Sequence, residues 1–478
     1  MINSSLIKSI QDIMRKDAGV DGDAQRISQM AWMIFLKIFD DKEEETEAID
    51  DNYESSMPED LRWRNWAEYD EGITGEELLD FINNKLFKEL KELEAEEGDD
   101  PRKFLIKSIF KDSFNYMKDG TLIRQVINKL NEIDFNKSED RHIFNDIYEK
   151  ILNDLQSAGN AGEFYTPRAI TQFIVDMVDP KLGEKILDPA CGTGGFLVCA
   201  IENVRDKVKT IEQRKVLQDS IRGIEKKSMP HLLGVTNLIL HDIEVPNIKH
   251  DNTLTRNVRD FTAEEKVDVV VTNPPFGGKE IAGIQANFPQ SFRSAETSDL
   301  FLVVIMYILR DVGRSGMILP DGFLFGEGVK TRIKEKLLSE FNLHTIVRLP
   351  NGVFNPYTGI RTNLLFFTKG EKTKDVWYFE HPLPEGYKTY NKSKPIRISE
   401  FDLEKEWWND RENEKFKQYC WKVSIDEIEK RNYNLDISTP NSKSSANNHT
   451  KEGIIKKIRN NLIDAQKRLD DIERTLSK

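Results

Sequence analysis

Between residues 185 and 368 the sequence alternates short β-rich runs with helix-length stretches, and this alternation constrains the fold more than any other feature. The runs are Lys185 to Leu187, Ile221 to Glu225, Leu238 to His241, Val267 to Thr272, Gly316 to Leu319, His344 to Leu349 and Thr362 to Thr368. Seven strands so spaced predict an α/β layered domain with a mostly parallel sheet, because parallel neighbours need a crossover and a helix is its usual form. The region before them has a different period. Ile27, Met30, Ile34 and Ile38 recur at spacings of three and four, as do Leu122, Val126, Leu130 and Ile133, and Ile143, Ile147, Ile151 and Leu155 recur every fourth residue. The expected organisation is a helical N-terminal domain over 1–157 and the α/β domain over 158–370, joined through SAGNAGE at Ser157 to Glu163. A mixed extension over 371–440 follows, then a polar loop. From 451 to 478, Ile455, Ile458, Leu462, Ala465, Leu469, Ile472 and Leu476 form a three-four heptad seam. So short a helix is marginal alone in water, so the seam packs either on its own domain or on a partner helix.

A chain of 478 residues suggests two or three domains. Its longest uninterrupted apolar run, Leu300 to Leu309, has ten residues, about half of the roughly 20 that a membrane helix needs. The N-terminal MINSSLIKSIQD turns polar before an apolar signal core could form, so the cytosol is the expected compartment. Cys191, Cys199 and Cys420 lack the CxxC spacing of a thiolate zinc site and are odd in number, so neither a metal nor a disulfide is expected. The formal net charge of −13 is unevenly spread: residues 1–160 hold 21 basic against 37 acidic side chains, and residues 161–370 hold 26 against 25. Since nucleic-acid binding relies on phosphate neutralisation, the first block is a poor DNA surface by itself. If DNA is the substrate, a partner supplies much of the positive field. Runs such as Asp40 to Asp51 read as solvated helix flanks.

The strongest local signal is DPACGTGGF, Asp188 to Phe196, directly after a strand. Gly192, Gly194 and Gly195, with Thr193 among them, let the backbone turn sharply and approach a ligand, and the next helix points its N-terminus at that ligand. No P-loop lysine follows, which disfavours a triphosphate. Glu225 ends the next strand in RGIE, where a carboxylate can accept both hydroxyls of a ribose. The distance from Asp188 to Glu225 exceeds the roughly 20 residues of a dinucleotide fold, which tells against NAD. Asp242, after the expected third strand, either accepts from the exocyclic amine of a cofactor adenine or makes a turn.

The second signal is NPPF, Asn273 to Phe276, at the end of the strand Val267 to Thr272. Proline cannot continue a ladder, so the strand stops there. The side-chain carbonyl of Asn273 and the main-chain carbonyl of Pro274, stiffened by Pro275, are two acceptors beside the aromatic face of Phe276, a constellation suited to a planar ring bearing an NH2 group. Holding both amine hydrogens aims the nitrogen lone pair at an electrophile, and with a sulfonium methyl donor no metal or covalent nucleophile is required. Upstream, Thr166 and Pro167 of GEFYTPR read as an N-cap and first helical position. Downstream, LPDGFLF and LPNGVFNPYTGIRTNLLFF repeat a strand, Pro, polar, Gly, aromatic pattern whose aromatics line a base pocket or pack internally.

These motifs together, EFYTPR, DPACGTGGF, GIE, NPPF and GVFNPYTGIRTNLLFF in that order, resemble the modification subunit of a Type I restriction-modification system, an adenine-N6 DNA methyltransferase. The resemblance covers nearly the whole chain. It implies a Rossmann-like, seven-stranded methyltransferase domain with an all-helical N-terminal domain and a C-terminal helical tail. It implies S-adenosylmethionine held by Glu163, Phe164, Tyr165, Thr166, Pro167 and Arg168, by Thr193 to Gly195 and by Glu225, with Asp188, Gly192 and Asp242 in the same cofactor pocket. The target adenine, flipped from double-stranded DNA, is implied at Asn273 to Phe276, since inside a duplex its amine is already paired and stacked. Two copies are implied to join one specificity subunit, to which a restriction subunit can add. The residues agree on one point independently: after Gly370 only 108 remain, little room for a sequence-reading domain. The rivals are an N5-glutamine protein methyltransferase of release-factor type, whose amide substrate suits the same NPP turn, and a non-catalytic scaffold. The first lacks EFYTPR and the heptad tail, and the intact NPPF argues against the second.

Overall fold

The computed structural model of the chain describes residues 4–96, 98–135, 166–355 and 358–440, with residue 459 in addition. The expected helical run Ile143 to Leu155, the linker and boundary near 157, the residues Glu163, Phe164 and Tyr165, and the heptad seam lie outside the described residues.

The N-terminal part is helical. α1 (Ser4–Met14) and α2 (Asp23–Glu47) are followed by short helical turns and an unbroken helical stretch over 75–92, then by α3 (Pro101–Lys111) and α4 (Gly120–Leu130). α3 starts where the Asp100 carboxylate accepts from the Arg102 N–H with Pro101 at the first position, and α4 where Asp119 accepts from Thr121 and Leu122. Ile27, Met30, Ile34 and Ile38 are all buried along α2, and Val126 and Leu130 along α4, with Ile133 just beyond its end. The acidic run after Asp40 is more than a solvated flank. Asp40 and Glu43 are buried, the first accepting from the Arg64 N–H at 2.7 Å and Nε at 3.0 Å, the second from the Tyr53 hydroxyl at 2.8 Å and the Ser56 N–H at 2.9 Å. Carboxylates can be buried here because donors from the following loop meet them.

The α/β part is one mixed sheet of β1 (Ile186–Asp188), β2 (Ile221–Glu225), β3 (Asn247–His250), β4 (Val267–Thr272), β5 (Leu309–Pro320), β6 (Phe341–Arg348), β7 (Thr362–Lys369), β8 (Asp375–Glu380) and β9 (Cys420–Ser424). Their order is β3-β2-β1-β4-β5-β7-β6-β8-β9, parallel from β3 to β5, with β7 antiparallel to both neighbours. Alternate strand residues face different cores, as the period-two geometry requires. Ile186, Val269, Val271, Leu364 and Phe366 pack with α5 (Arg168–Val178), α6 (Gly195–Arg205) and α8 (Ser228–Leu240), whereas α7 (Ile211–Ser220) flanks β2. Leu187, Val270, Leu365 and Phe367 pack with α9 (Thr297–Ile308) and α10 (Val329–Glu340) on the other face. The ten-residue apolar run is thus the buried helix α9 passing into β5, and no helix among the described residues is long and apolar enough to cross a membrane.

One expectation about strands is corrected. Leu238 to His241 is the end of α8 rather than a strand, and β3 lies at Asn247–His250. α8 is buried from Pro230 to Leu240 because the sheet covers one side and α2 the other, so it lacks the polar stripe that marks a surface helix. A short apolar stretch of such a helix is indistinguishable from a buried strand by pattern alone. The seven strands expected within 158–370 are present as β1 to β7, and the sheet continues past them to nine. The 371–440 extension adds β8 parallel to β6 and β9 antiparallel to β8, and α11 (Asp402–Asn409) sets Trp407 beneath them.

Candidate active site

The carboxyl ends of β1, β2 and β4 lie side by side at one edge of the sheet, and the chain leaves each of them through one of the motifs. β1 ends at Asp188. Its buried Oδ1 accepts from the Thr272 hydroxyl at 2.7 Å and the Ala190 N–H at 3.0 Å, so one carboxylate joins the tips of β1 and β4 and starts the glycine turn. Burial, reinforced by the nearby Glu225 charge, raises the Asp188 carboxyl to about 7. Gly192 and Gly194 have φ of +53° and +82°, in the left-handed region that favours glycine, and Gly194 caps α6. From behind, Asn237 of α8 donates to the Thr193 carbonyl at 2.9 Å, and Gly234 comes so close that a Cβ there would sit 2.9 Å from the Gly192 carbonyl oxygen.

Glu225, at the tip of β2, accepts from the Gly192 N–H through Oε2 at 2.9 Å and from the Lys227 N–H through Oε1 at 2.7 Å. Each oxygen keeps a second lone-pair site, which suits a pair of ribose hydroxyls. Burial raises its pKa.

β4 ends at Thr272, and NPPF turns the chain away. The Asn273 side-chain NH2 donates to the Thr166 hydroxyl at 2.9 Å, while its Oδ1 is buried with no partner. An orphaned buried amide oxygen is costly, which marks it as an acceptor whose donor is a ligand or a water. Thr166 therefore does not cap the next helix. α5 begins at Arg168 with Pro167 as its N-cap and no side-chain cap bond, leaving the Thr166 hydroxyl for Asn273. Arg168 turns toward α6, bonding the Gly195 carbonyl at 3.2 Å and Glu202 at 2.7 Å, so it ties two helices together. Phe276 is buried edge-on to Phe354, with ring centroids 6.1 Å apart at 82°. Of the two downstream aromatic motifs, it is thus the second that meets NPPF.

Thr166, Asp188, Gly192, Thr193 and Asn273 line one pocket. The enclosed space between them is about 30 Å³, roughly one water. Asp242 is not among these residues. It follows α8, which runs antiparallel to the strands and ends at the opposite edge of the sheet, where Asp242 lines a cavity of about 640 Å³ against α2. The residue that follows the true third strand is Asp251, whose N–H donates to the Glu225 carbonyl at 3.0 Å. Beside it the Thr253 hydroxyl donates to the Pro189 carbonyl at 2.5 Å. Sequence reasoning missed both because β3 is four mostly polar residues, and only the HDNT turn signal after it could have drawn attention there.

Comparison with known proteins places this geometry. The sequence model for the N-6 DNA Methylase family matches residues 139–449, and that for the HsdM N-terminal domain matches residues 3–130. The chain is 60% identical over 443 residues, 91% of its length and 90% of the relative's, to the Type I restriction enzyme EcoEI methylase subunit of Escherichia coli. It is 28% identical to the EcoKI methylase subunit of Escherichia coli K12, covering 74% of this chain and 66% of that one. Among solved structures, a modification subunit assigned to a type I restriction enzyme of Vibrio vulnificus YJ016 superposes with a TM-score of 0.83 at 45% identity, over 92% of this chain and 96% of that one. A chain from a structure describing complex assembly and conformational transition of the type I R-M system gives 0.82 at 36% identity, over 98% and 97%.

Proposed function

Since the chain belongs to the N-6 DNA methylase family, as a methylase subunit of the Type I restriction kind and an adenine-specific DNA methyltransferase, we propose that its chemistry occurs where the glycine turn and the NPPF corner meet. The observation that carries this reading is the buried, unpartnered Oδ1 of Asn273 beside a glycine turn whose carboxylates have acceptor sites to spare. Gly192 to Gly195 with the N-terminus of α6, Glu225 and Asp188 are the residues to hold S-adenosylmethionine, with Asp251 in the place expected of Asp242. Bound there, the cofactor supplies a methyl carbon activated by a positively charged sulfur.

Asn273 Oδ1 and the Pro274 carbonyl accept the two hydrogens of the adenine amine, which withdraws the nitrogen lone pair from the ring and points it at the reacting carbon. Thr166 fixes which atom of Asn273 faces the base, and Pro274 and Pro275 limit the motion of the second carbonyl. Phe276, backed by Phe354, offers the flipped ring an aromatic surface. The carboxyls in the pocket favour a cationic cofactor over a neutral one.

The same reading gives the partners. The chain acts on double-stranded DNA in a complex of two such subunits with one specificity subunit, to which a restriction subunit adds. It is supported by the acidic N-terminal block, a poor DNA surface by itself. The glycine-turn residues, the NPPF corner and the division into 1–157, 158–370, an extension over 371–440 that continues the same sheet, and 451–478 are part of the proposal. The test is transfer of tritium from labelled S-adenosylmethionine to unmethylated DNA, with and without the specificity subunit. Label on adenine N6 only when that subunit is present is the expected result. Label on protein, or robust site-specific methylation by the chain alone, contradicts the reading.

A further inference from the structure

The loop between β6 and β7 brings Phe354 to Phe276, yet this loop is held mainly by residues that follow the seven-stranded part of the sheet. The Thr389 hydroxyl donates to the Asn351 carbonyl at 2.9 Å, and the Tyr390 N–H reaches the same carbonyl at 3.4 Å. The Asn355 side chain donates to the Tyr390 carbonyl at 3.1 Å. Between these bonds Gly352, at φ +84°, lies so close that a Cβ would overlap the Tyr390 carbonyl and the Thr389 hydroxyl. The turn Asn351 to Asn355, with Phe354 inside it, is therefore moulded onto Thr389 and Tyr390.

Tyr390 is itself fixed from below. Its hydroxyl donates to Glu400 and lies 3.3 Å from His381 Nε2, and His381 Nδ1 is 2.6 Å from Glu404 Oε1, with Tyr390, His381 and Glu404 all buried. The His381 N–H donates to the carbonyl of Arg348, the last residue of β6, so the network grips the start of the loop as well as its turn. A phenylalanine would fill the same space. A hydroxyl with two partners defines one position where an apolar ring could slide, which is what a buried polar network adds to packing.

We propose that Tyr390, set by His381, Glu400 and Glu404, is a positioning residue for the adenine pocket, acting through Asn351–Asn355 on Phe354. It touches neither adenine nor cofactor. The inference rests on the proposed reading of Phe276 and Phe354 as the walls of the base site.

The test is a double-mutant cycle in the complex with the specificity subunit, measuring kcat on unmethylated DNA and KM for S-adenosylmethionine. Tyr390→Phe is expected to lower kcat between about 10- and 100-fold, the loss typical of a displacement near 1 Å, and to leave the cofactor KM unchanged. On a Phe354→Ala background, Tyr390→Phe is expected to have no further effect, because the part it positions is gone. Asn355→Ala, which removes a bond to Tyr390 while leaving the buried network intact, is expected to act in the same direction and guards against a folding defect in Tyr390→Phe. An unchanged kcat in both variants, or an equal loss with and without Phe354, overturns the proposal. If Asn273→Ala in the same assay retains full transfer, it is the functional reading that fails. If Asn273→Ala abolishes transfer while Tyr390→Phe is silent, only this inference fails.

Discussion

Thr166 and Asn273, 107 positions apart in the chain, share a 2.9 Å hydrogen bond that uses the amide nitrogen of Asn273 and leaves its buried oxygen unpartnered. Asn273→Ala removes the oxygen and is expected to abolish methyl transfer while S-adenosylmethionine still binds, as equilibrium dialysis would record. Thr166→Val removes only the restraint on the amide, so an intermediate loss is expected, on the order of tenfold in kcat. Equal effects of the two variants would contradict this division of roles.

The Asp188 carboxyl, raised to about 7 from 3.8, makes stability depend on pH with a definite sign. Folding favours its protonated form, so its contribution is full below about pH 4 and is lost as the pH rises through about 7. At roughly 1.4 kcal/mol per tenfold change, the upper bound is about 4 kcal/mol. Asp188→Asn cannot ionise, so its Tm relative to the parent chain is expected to improve from about pH 4 to about pH 7 and to level off above that. A difference independent of pH would mean that Asp188 is not buried as described.

Gly234 gives a test in which packing opposes propensity. At an exposed helical position Gly→Ala stabilises by about 1 kcal/mol. Here the new methyl would meet the Gly192 carbonyl at 2.9 Å and Ile248 at 3.3 Å, so Gly234→Ala is expected to destabilise by about 1–3 kcal/mol. Because the clash falls on the glycine turn, cofactor affinity should fall too, although residue 234 faces away from the pocket. Denaturant melts and calorimetric titration would measure the two effects.

Arg348 fastens the chain beyond the last strand. Its guanidinium donates to Asp436 at 2.7 Å and to the Ile437 carbonyl at 3.2 Å. Arg348→Met keeps the bulk and loses both bonds, at a cost of about 1–3 kcal/mol. Faster proteolytic cleavage between residues 431 and 440 is the expected signature, readable by mass spectrometry.

The heptad pattern makes a separate prediction. Removing Glu452 to Lys478 is expected to weaken assembly with the specificity subunit and to leave cofactor affinity intact. Unchanged recovery of the complex in a pull-down would assign the seam to the chain's own packing.

Much of the site was legible because its motifs combine backbone punctuation with strand ends. β2 and β4 begin and end where the pattern placed them, since a β-branched run stopped by a charged residue or a proline has one sensible reading. β3 was not legible: NIKH has a single buried apolar residue, whereas LILH nearby looks more like a strand and belongs to a helix covered on both sides. That error carried Asp242 with it, because a crossover helix delivers its last residue to the far edge of the sheet and only the next strand returns to the near one. The burial of Asp40 and Glu43 and the use of Thr166 were equally hidden, since their partners Arg64, Tyr53 and Asn273 are fixed only by the tertiary fold.

β8 is laddered directly to β6, and β6 leads into the loop that bears Phe354. The extension and the catalytic sheet therefore behave as one elastic body, and a chimera spliced at residue 370 would sever a ladder instead of a linker. Exchange of C-terminal segments between relatives should succeed only when the segment travels together with the whole sheet, so the transferable module in this chain is larger than its motifs suggest.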